Sequence, residues 1–190
     1  MKKSIGAKTT LFPAPVLIVG TYDEKGRANA AAVAWGGICC SRPPCVAVSL
    51  RRATYSYGNI VNRQAFTVNV PSEGQVKEAD YFGIASGRDE DKFERTGLSP
   101  VASRLVDAPY IEEFPLVLEC RVLHTIEIGL HTEFIGEILD VKADDAVLHE
   151  SGNPDMEKLK PLAYEPGIRR YFRIGSVLAK AHSAGRELGG

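Results

Sequence analysis

"VLIVGTY" (16–22), "DEKG" (23–26) and "RANAAAVAW" (27–35) stand in one unbroken stretch. The first segment is apolar and β-branched. The second is a turn signal closed by glycine. The third runs back, so the pattern predicts a β-hairpin. Alanine is a weak strand former. A strand of alanines therefore points to something flat or bulky beside the backbone, or to a tightly packed neighbouring element.

The pattern continues outward from this hairpin. "GGICCSRPP" (36–44) reads as a loop, because Pro43 and Pro44 exclude a regular strand or helix interior. "CVAVSL" (45–50) is a strand. Thr54 is a good N-cap for the short helix "YSYGNIVNR", which puts Tyr57, Ile60 and Val61 on one face. "AFTVNV" (65–70) is a strand closed by Pro71. Residues 72–97 read as helical in two pieces, with Gly97 as a stop, and residues 101–115 as extended. "LVLECRVLHTIEI" (116–128) and "HTEFIGEILDVKAD" (131–144) both alternate, with Gly129-Leu130 between them, and so predict a second hairpin. Leu118, Cys120 and Val122 share one face, opposite Glu119 and Arg121. Ile135, Leu139 and Val141 form the matching face. Residues 150–167 read as loop, and "IRRYFRIG" (168–175) as a last short strand. Residues 176–190 read as a flexible tail or an arm that packs on a partner.

Six or seven hairpin-linked strands, with helices inserted in one connection, predict a mainly β chain folded as a small antiparallel barrel. Strands and helices do not alternate regularly, which argues against a doubly wound fold. The sequence lacks both the G-x-G-x-x-G and the Walker-type glycine loop.

The length of 190 residues fits one domain, 1–190, with a barrel over about 10–175. A net charge of -1 argues against nucleic-acid partners, which require a basic field. No apolar run approaches the roughly 20 residues of a membrane span, and the N-terminus lacks a signal-peptide core. The chain is expected to be cytoplasmic. Its four cysteines, Cys39, Cys40, Cys45 and Cys120, are then expected to be reduced. Their spacing is not of zinc type, so no metal site is expected.

The richest chemistry follows the strand 45–50. Ser49 and Thr54 carry hydroxyls, Arg51 and Arg52 carry guanidinium groups, and a helix begins after Thr54. Hydroxyls, a paired-donor cation and free N–H groups at a helix start together make a phosphate site. A capped helix with solvated arginines would show the same residues. Trp35, the only tryptophan, could stack on a flat ring or belong to the core. Lys92 lies among four acids in "DEDKFE", the ordinary setting of a surface lysine. His124 and His131 flank the tip of the second hairpin. No nucleophile or paired-carboxylate pattern assigns a catalytic residue.

The sequence resembles the flavin reductase-like proteins of the FMN-binding split-barrel family. The resemblance covers roughly Thr10 to Tyr171. It is carried by "NAAAVAW" (29–35), "RPPCVAVSLRRATYSYGNI" (42–60), "FTVNVP" (66–71), "SGRDEDKFERTGL" (86–98), "AP" (108–109) with "LECRV" (118–122), and "HTEFIGEI" (131–138). Within the family the likeness is greatest to its flavoredoxin branch, one-domain FMN electron-transfer proteins of sulfate-reducing anaerobes.

The resemblance implies a Greek-key split barrel, a homodimer, and one FMN per subunit near the dimer interface. It places Asn29, Ala30, Ala31, Ala32, Val33, Ala34 and Trp35 beside the isoalloxazine ring, with backbone groups bonding its polar edge. Ser49, Leu50, Arg51 and Thr54 would hold the phosphate, with Tyr55 and Ser56 at the helix start beside it. Lys92 would approach the N1/O2 edge, where a cation favours the reduced, anionic flavin. His131 would lie near the open face. Two functions follow. One is an electron carrier between redox partner proteins. The other is an NAD(P)H-dependent flavin or ferric reductase. A retained cofactor and a large aromatic beside it favour the carrier.

Overall fold

The computed structural model describes residues 1–188. A short strand, β1 (Ala14–Pro15), precedes the predicted hairpin of β2 (Leu17–Tyr22) and β3 (Ala28–Val33). Next come β4 (Gly36–Ser41), β5 (Pro44–Arg51), helix α1 (Tyr55–Arg63) and β6 (Ala65–Val70). Helices α2 (Val76–Ile84) and α3 (Lys92–Thr96) fill the next connection. Two small strands follow, β7 (Pro100–Ala102) and β8 (Pro109–Ile111). The long hairpin is β9 (Leu116–Ile128) and β10 (His131–Ala143). Helix α4 (Met156–Leu159), β11 (Leu162–Glu165) and β12 (Arg170–Arg173) complete the regular structure, apart from short 3-10 turns.

Seven strands make one antiparallel sheet in the order β3-β2-β6-β9-β10-β5-β4. Its two outermost strands, β3 and β4, are joined only by Ala34 and Trp35. Two linking residues reach about 10 Å at most. The sheet must therefore curl until its edges nearly meet, with the Ser49 N–H donating to the Trp35 carbonyl at 2.8 Å to carry the β4–β5 ladder one residue into the link. This is the expected antiparallel barrel, split between β3 and the β4–β5 hairpin. Leu17, Val19, Val48, Phe66, Val68 and Phe134 fill its interior.

A second apolar layer lies outside β3. Ala79 and Phe82 of α2, with Phe93 of α3, bury Ala30. A Cβ placed on Gly83 would come within 3.2 Å of the Ala32 Cβ. Tight packing by α2 thus accounts for the small side chains on one face of β3.

Several expectations need correction. Residues 36–41 form β4, not a loop. Pro44 opens β5 and Pro43 sits in the two-residue turn, so neither removes a needed ladder N–H. Along β10 the inward residues are Thr132, Phe134 and Gly136, while Leu139 and Val141 are exposed. A register shift after Ile138 leaves Leu139 as an extra residue of β10, and inward alternation is unbroken from Thr132 to Gly136. Gly136 is required there, because a Cβ would stand 2.6 Å from the Phe66 ring. Glu119, on the face opposite Leu118 and Cys120, is fully buried too, and it is ion-paired with Lys142. The supposed loop 150–167 contains β11, which pairs with β1 and β12. The tail from 176 is exposed, with one 3-10 turn at Ala184–Leu188. Its last two residues, 189 and 190, lie outside the described residues.

Candidate functional site

The barrel seam opens into a cavity of about 580 Å³. Ala34 and Trp35 of the β3–β4 link, Ser49 of β5, and Ile128 and His131 of the long hairpin line it. Leu11 and Pro13 of the N-terminal segment close one side. Four of the residues singled out in the sequence, Ala34, Trp35, Ser49 and His131, therefore share one cavity. Trp35 is half-buried there, between its roles as core and as an exposed wall.

Strand register extends the site. β10 pairs His131 with Arg51, Thr132 with Leu50, and Glu133 with Ser49. Arg51 ends β5, and the chain then turns directly into α1. Thr54 takes the N-cap position, but its hydroxyl donates to the Arg51 carbonyl at 2.8 Å instead of capping the helix. The first turn of α1 contains no acidic residue. Its leading N–H groups are left without a side-chain acceptor, and such groups favour an anion. The two arginines differ. Arg52 is ion-paired with Glu127 on the surface. The exposed guanidinium of Arg51 has no hydrogen-bond or ion-pair partner among the described residues.

Asn29 ties β3 to α1. Its buried amide donates to the Ser56 hydroxyl at 2.9 Å and to the Thr21 hydroxyl at 3.4 Å, while its Oδ1 has no partner among the described residues. Ser56 is buried beneath the helix start. Tyr55 turns its hydroxyl to Asp23, at 2.9 Å. Its ring lies near the guanidinium groups of Arg27 and Arg88, 5.9 and 5.5 Å from the centroid. Leu50, Ala30 and Val33 point into the two cores, so only their backbone can serve a ligand. Ala31 and Ala32 are half-buried, with Ala32 under Gly83.

Lys92 is placed differently from a surface lysine. It is 4% exposed, at the start of α3. Its ammonium donates to the carbonyls of Phe82 (3.3 Å) and Ala85 (3.2 Å), at the end of α2. Burial pulls its pKa down to about 8, against a smaller opposite pull from Glu90. It has no carboxylate partner among the described residues and does not line the seam cavity.

Arg27 and Arg88 were not singled out in the sequence. Arg88 reaches the Ala53 carbonyl (2.7 Å) and Arg27 reaches that of Gly87 (2.9 Å), which draws the loop before α3 onto the start of α1. These contacts span 35 and 60 residues, beyond any local spacing signal. Leu11 and Pro13 were likewise silent as cavity residues.

A barrel split at one seam, with a cavity and an uncapped helix start along it, is the setting in which this chain meets its relatives. The chain belongs to the flavin reductase-like family: the family's "Flavin reductase like domain" matches residues 9–174. It is similar to flavoredoxin of Desulfovibrio vulgaris (Miyazaki F), with 53% identity and a TM-score of 0.93 over 97% of this chain and 100% of that one. It is also similar to flavoredoxin from Methanosarcina acetivorans, with 31% identity and a TM-score of 0.90 over 98% and 100%. An uncharacterized protein of Archaeoglobus fulgidus is 33% identical over 146 residues, 77% of this chain and 80% of that one.

Proposed function

We propose that this chain is an FMN-binding electron-transfer protein of flavoredoxin type, passing electrons between redox partners in anaerobic sulfur metabolism. The observation that carries the reading is the unpaired Arg51 beside an uncapped helix N-terminus, one register step from a cavity holding Trp35 and His131. Cation, free N–H groups and hydroxyls suit a phosphate, and the adjoining cavity suits a flat ring. The buried, unpartnered Oδ1 of Asn29 adds an acceptor on β3.

Each residue then has a role. Arg51, Ser49 and the N–H groups of Tyr55 and Ser56 bind the phosphate, with Thr54 shaping the turn. β3 is the last strand of its sheet, so its free edge offers N–H and C=O groups to the polar rim of a ring. Ala31, Ala32 and Ala34 keep side chains out of the way, while Ala30, Val33 and Leu50 contribute backbone only. Trp35 and His131 bound the cavity and exclude water. Lys92 supplies a buried positive charge on the elements packed against β3. Bound FMN supplies one- and two-electron transfer. The same proposal includes a homodimer, supported by the exposed Leu11, Phe12 and Leu178, and a cytoplasmic location.

A second cavity, about 310 Å³, shares Ala34 with the first and is walled by Gly83, Tyr164 and Arg169. It favours an alternative reading, an NAD(P)H-dependent flavin or ferric reductase. Anaerobic reduction separates the two. The FMN-loaded carrier should keep its colour with NADH or NADPH and bleach with dithionite or a reduced partner. Rapid bleaching by either nicotinamide would establish the reductase instead.

A further inference from the structure

The structure brings all four cysteines to the end of the sheet remote from Arg51. Cys40 of β4 and Cys45 of β5 are direct register partners in an antiparallel hairpin. Cys39 lies beside them in the register shift between Ile38 and Cys40. β10 places Glu137 opposite Cys45 and Ile138 opposite Cys120. The four thiols grade from exposed Cys39, through half-buried Cys40, to buried Cys45 and Cys120. Nothing in the proposed flavin chemistry uses them.

Facing residues of an antiparallel pair have Cα atoms about 4.5–5.5 Å apart. A disulfide needs about 4.4–6.8 Å. Cys40 and Cys45 therefore meet the requirement without backbone movement. The adjacent pairing and those to Cys120 do not. Adjacent Cys39 and Cys40 stand about 3.8 Å apart at Cα, below the range. Cys120 is two strands from Cys45, roughly 10 Å, above it.

We propose that Cys40 and Cys45 form a dithiol–disulfide exchange site, taking two electrons in and out by reaction with low-molecular-weight or protein disulfides. Cys40 reacts first because it is the accessible member of the pair. Its thiolate attacks one sulfur of the incoming disulfide, the S–S bond breaks, and one thiol leaves with a proton. Cys45 then attacks the Cys40 sulfur of the mixed disulfide and expels the second thiol. The cysteine pair is oxidised, the incoming disulfide is reduced to two thiols, and two protons pass from the pair to the products. Cys45 suits the second step. Its Sγ is buried and donates to the Pro43 carbonyl at 3.4 Å. Burial, then the neighbouring Cys40 and Cys39, raises its pKa, so Cys40 is the first nucleophile and Cys45 passes its proton to the departing thiolate as it attacks. The site does not depend on flavin binding, because it lies at the other end of β5.

The test uses the full-length reduced chain, desalted and exposed to oxidised glutathione. Intact mass and non-reducing peptide mapping are the readouts. Wild type should lose two hydrogens, with the new bond mapped to Cys40 and Cys45. Cys45→Ser should form no internal bond and retain one glutathione on Cys40. Cys39→Ser should behave as wild type. Cys40→Ser, at the half-buried position, should also form no internal bond, which covers a Cys45→Ser chain that fails to fold. Four thiols persisting in wild type, a bond mapped to Cys39 or Cys120, or internal oxidation of the Cys40→Ser chain would each overturn the proposal.

Discussion

Replacing Lys92 by methionine removes a buried charge while keeping most of the side-chain volume. In the folded chain burial brings the lysine from 10.5 to about 8. Between those values the unfolded chain holds the proton and the folded chain does not. Rising pH therefore favours the folded state across that window. The gap corresponds to about 3 kcal/mol. Below pH 8 both states are protonated and the contribution is flat. Methionine cannot titrate, so the stability difference between wild type and Lys92→Met should swing by about 3 kcal/mol toward wild type from pH 7.5 to 10.5. Urea unfolding of the apoprotein at four or five pH values measures this, and every other titrating group cancels in the difference. A difference that stays constant across the range would refute the buried, unpaired state of Lys92. Repeating the series with FMN bound tests its role. An anionic ligand nearby would keep Lys92 protonated and flatten the slope, whereas an unchanged slope removes Lys92 from the cofactor's surroundings.

Arg51→Ala should weaken FMN binding by about 10- to 100-fold, the cost of one charge-assisted contact, and leave riboflavin binding unchanged. Fluorescence titrations with both ligands compare the two, and equal losses would contradict a phosphate role. Trp35→Ala opens the cavity wall and should let NADH bleach the bound flavin under anaerobic conditions. Continued inertness toward NADH would show that Trp35 does not exclude the nicotinamide. Gly136→Ala forces a Cβ against the Phe66 ring and should cost about 1–3 kcal/mol in denaturant unfolding. An unchanged midpoint would mean that the ring yields freely.

Both hairpins were legible because their signals are local. Alternation and turn glycines set β2–β3 and β9–β10 closely. The strand β4 was hidden because the prolines that follow it mark a tight turn and read equally well as a loop. The inner face of β10 was misassigned because its true inward set, Thr132, Phe134 and Gly136, mixes polar, aromatic and small residues and gives no apolar alternation, and because the extra residue Leu139 breaks the phase beyond Ile138. The burial of Glu119 was silent in the sequence because nothing nearby announces Lys142, 23 residues on. In the site, Ser49, Trp35 and His131 were singled out separately in the sequence, and only the fold shows that they line one cavity. The distinction between Arg51 and Arg52 needed the structure, since only the fold brings Glu127 to Arg52. The small residues of β3 had two readings, and packing by α2 supports one of them on that face.

FMN retention is the most direct measurement. Purified chain is incubated with FMN, desalted, and its absorbance and flavin fluorescence are read. A yellow protein carrying one quenched FMN per chain is the expected result. A colourless protein that leaves the flavin fluorescence unchanged would contradict the phosphate site, the cavity assignment and the electron-transfer role together.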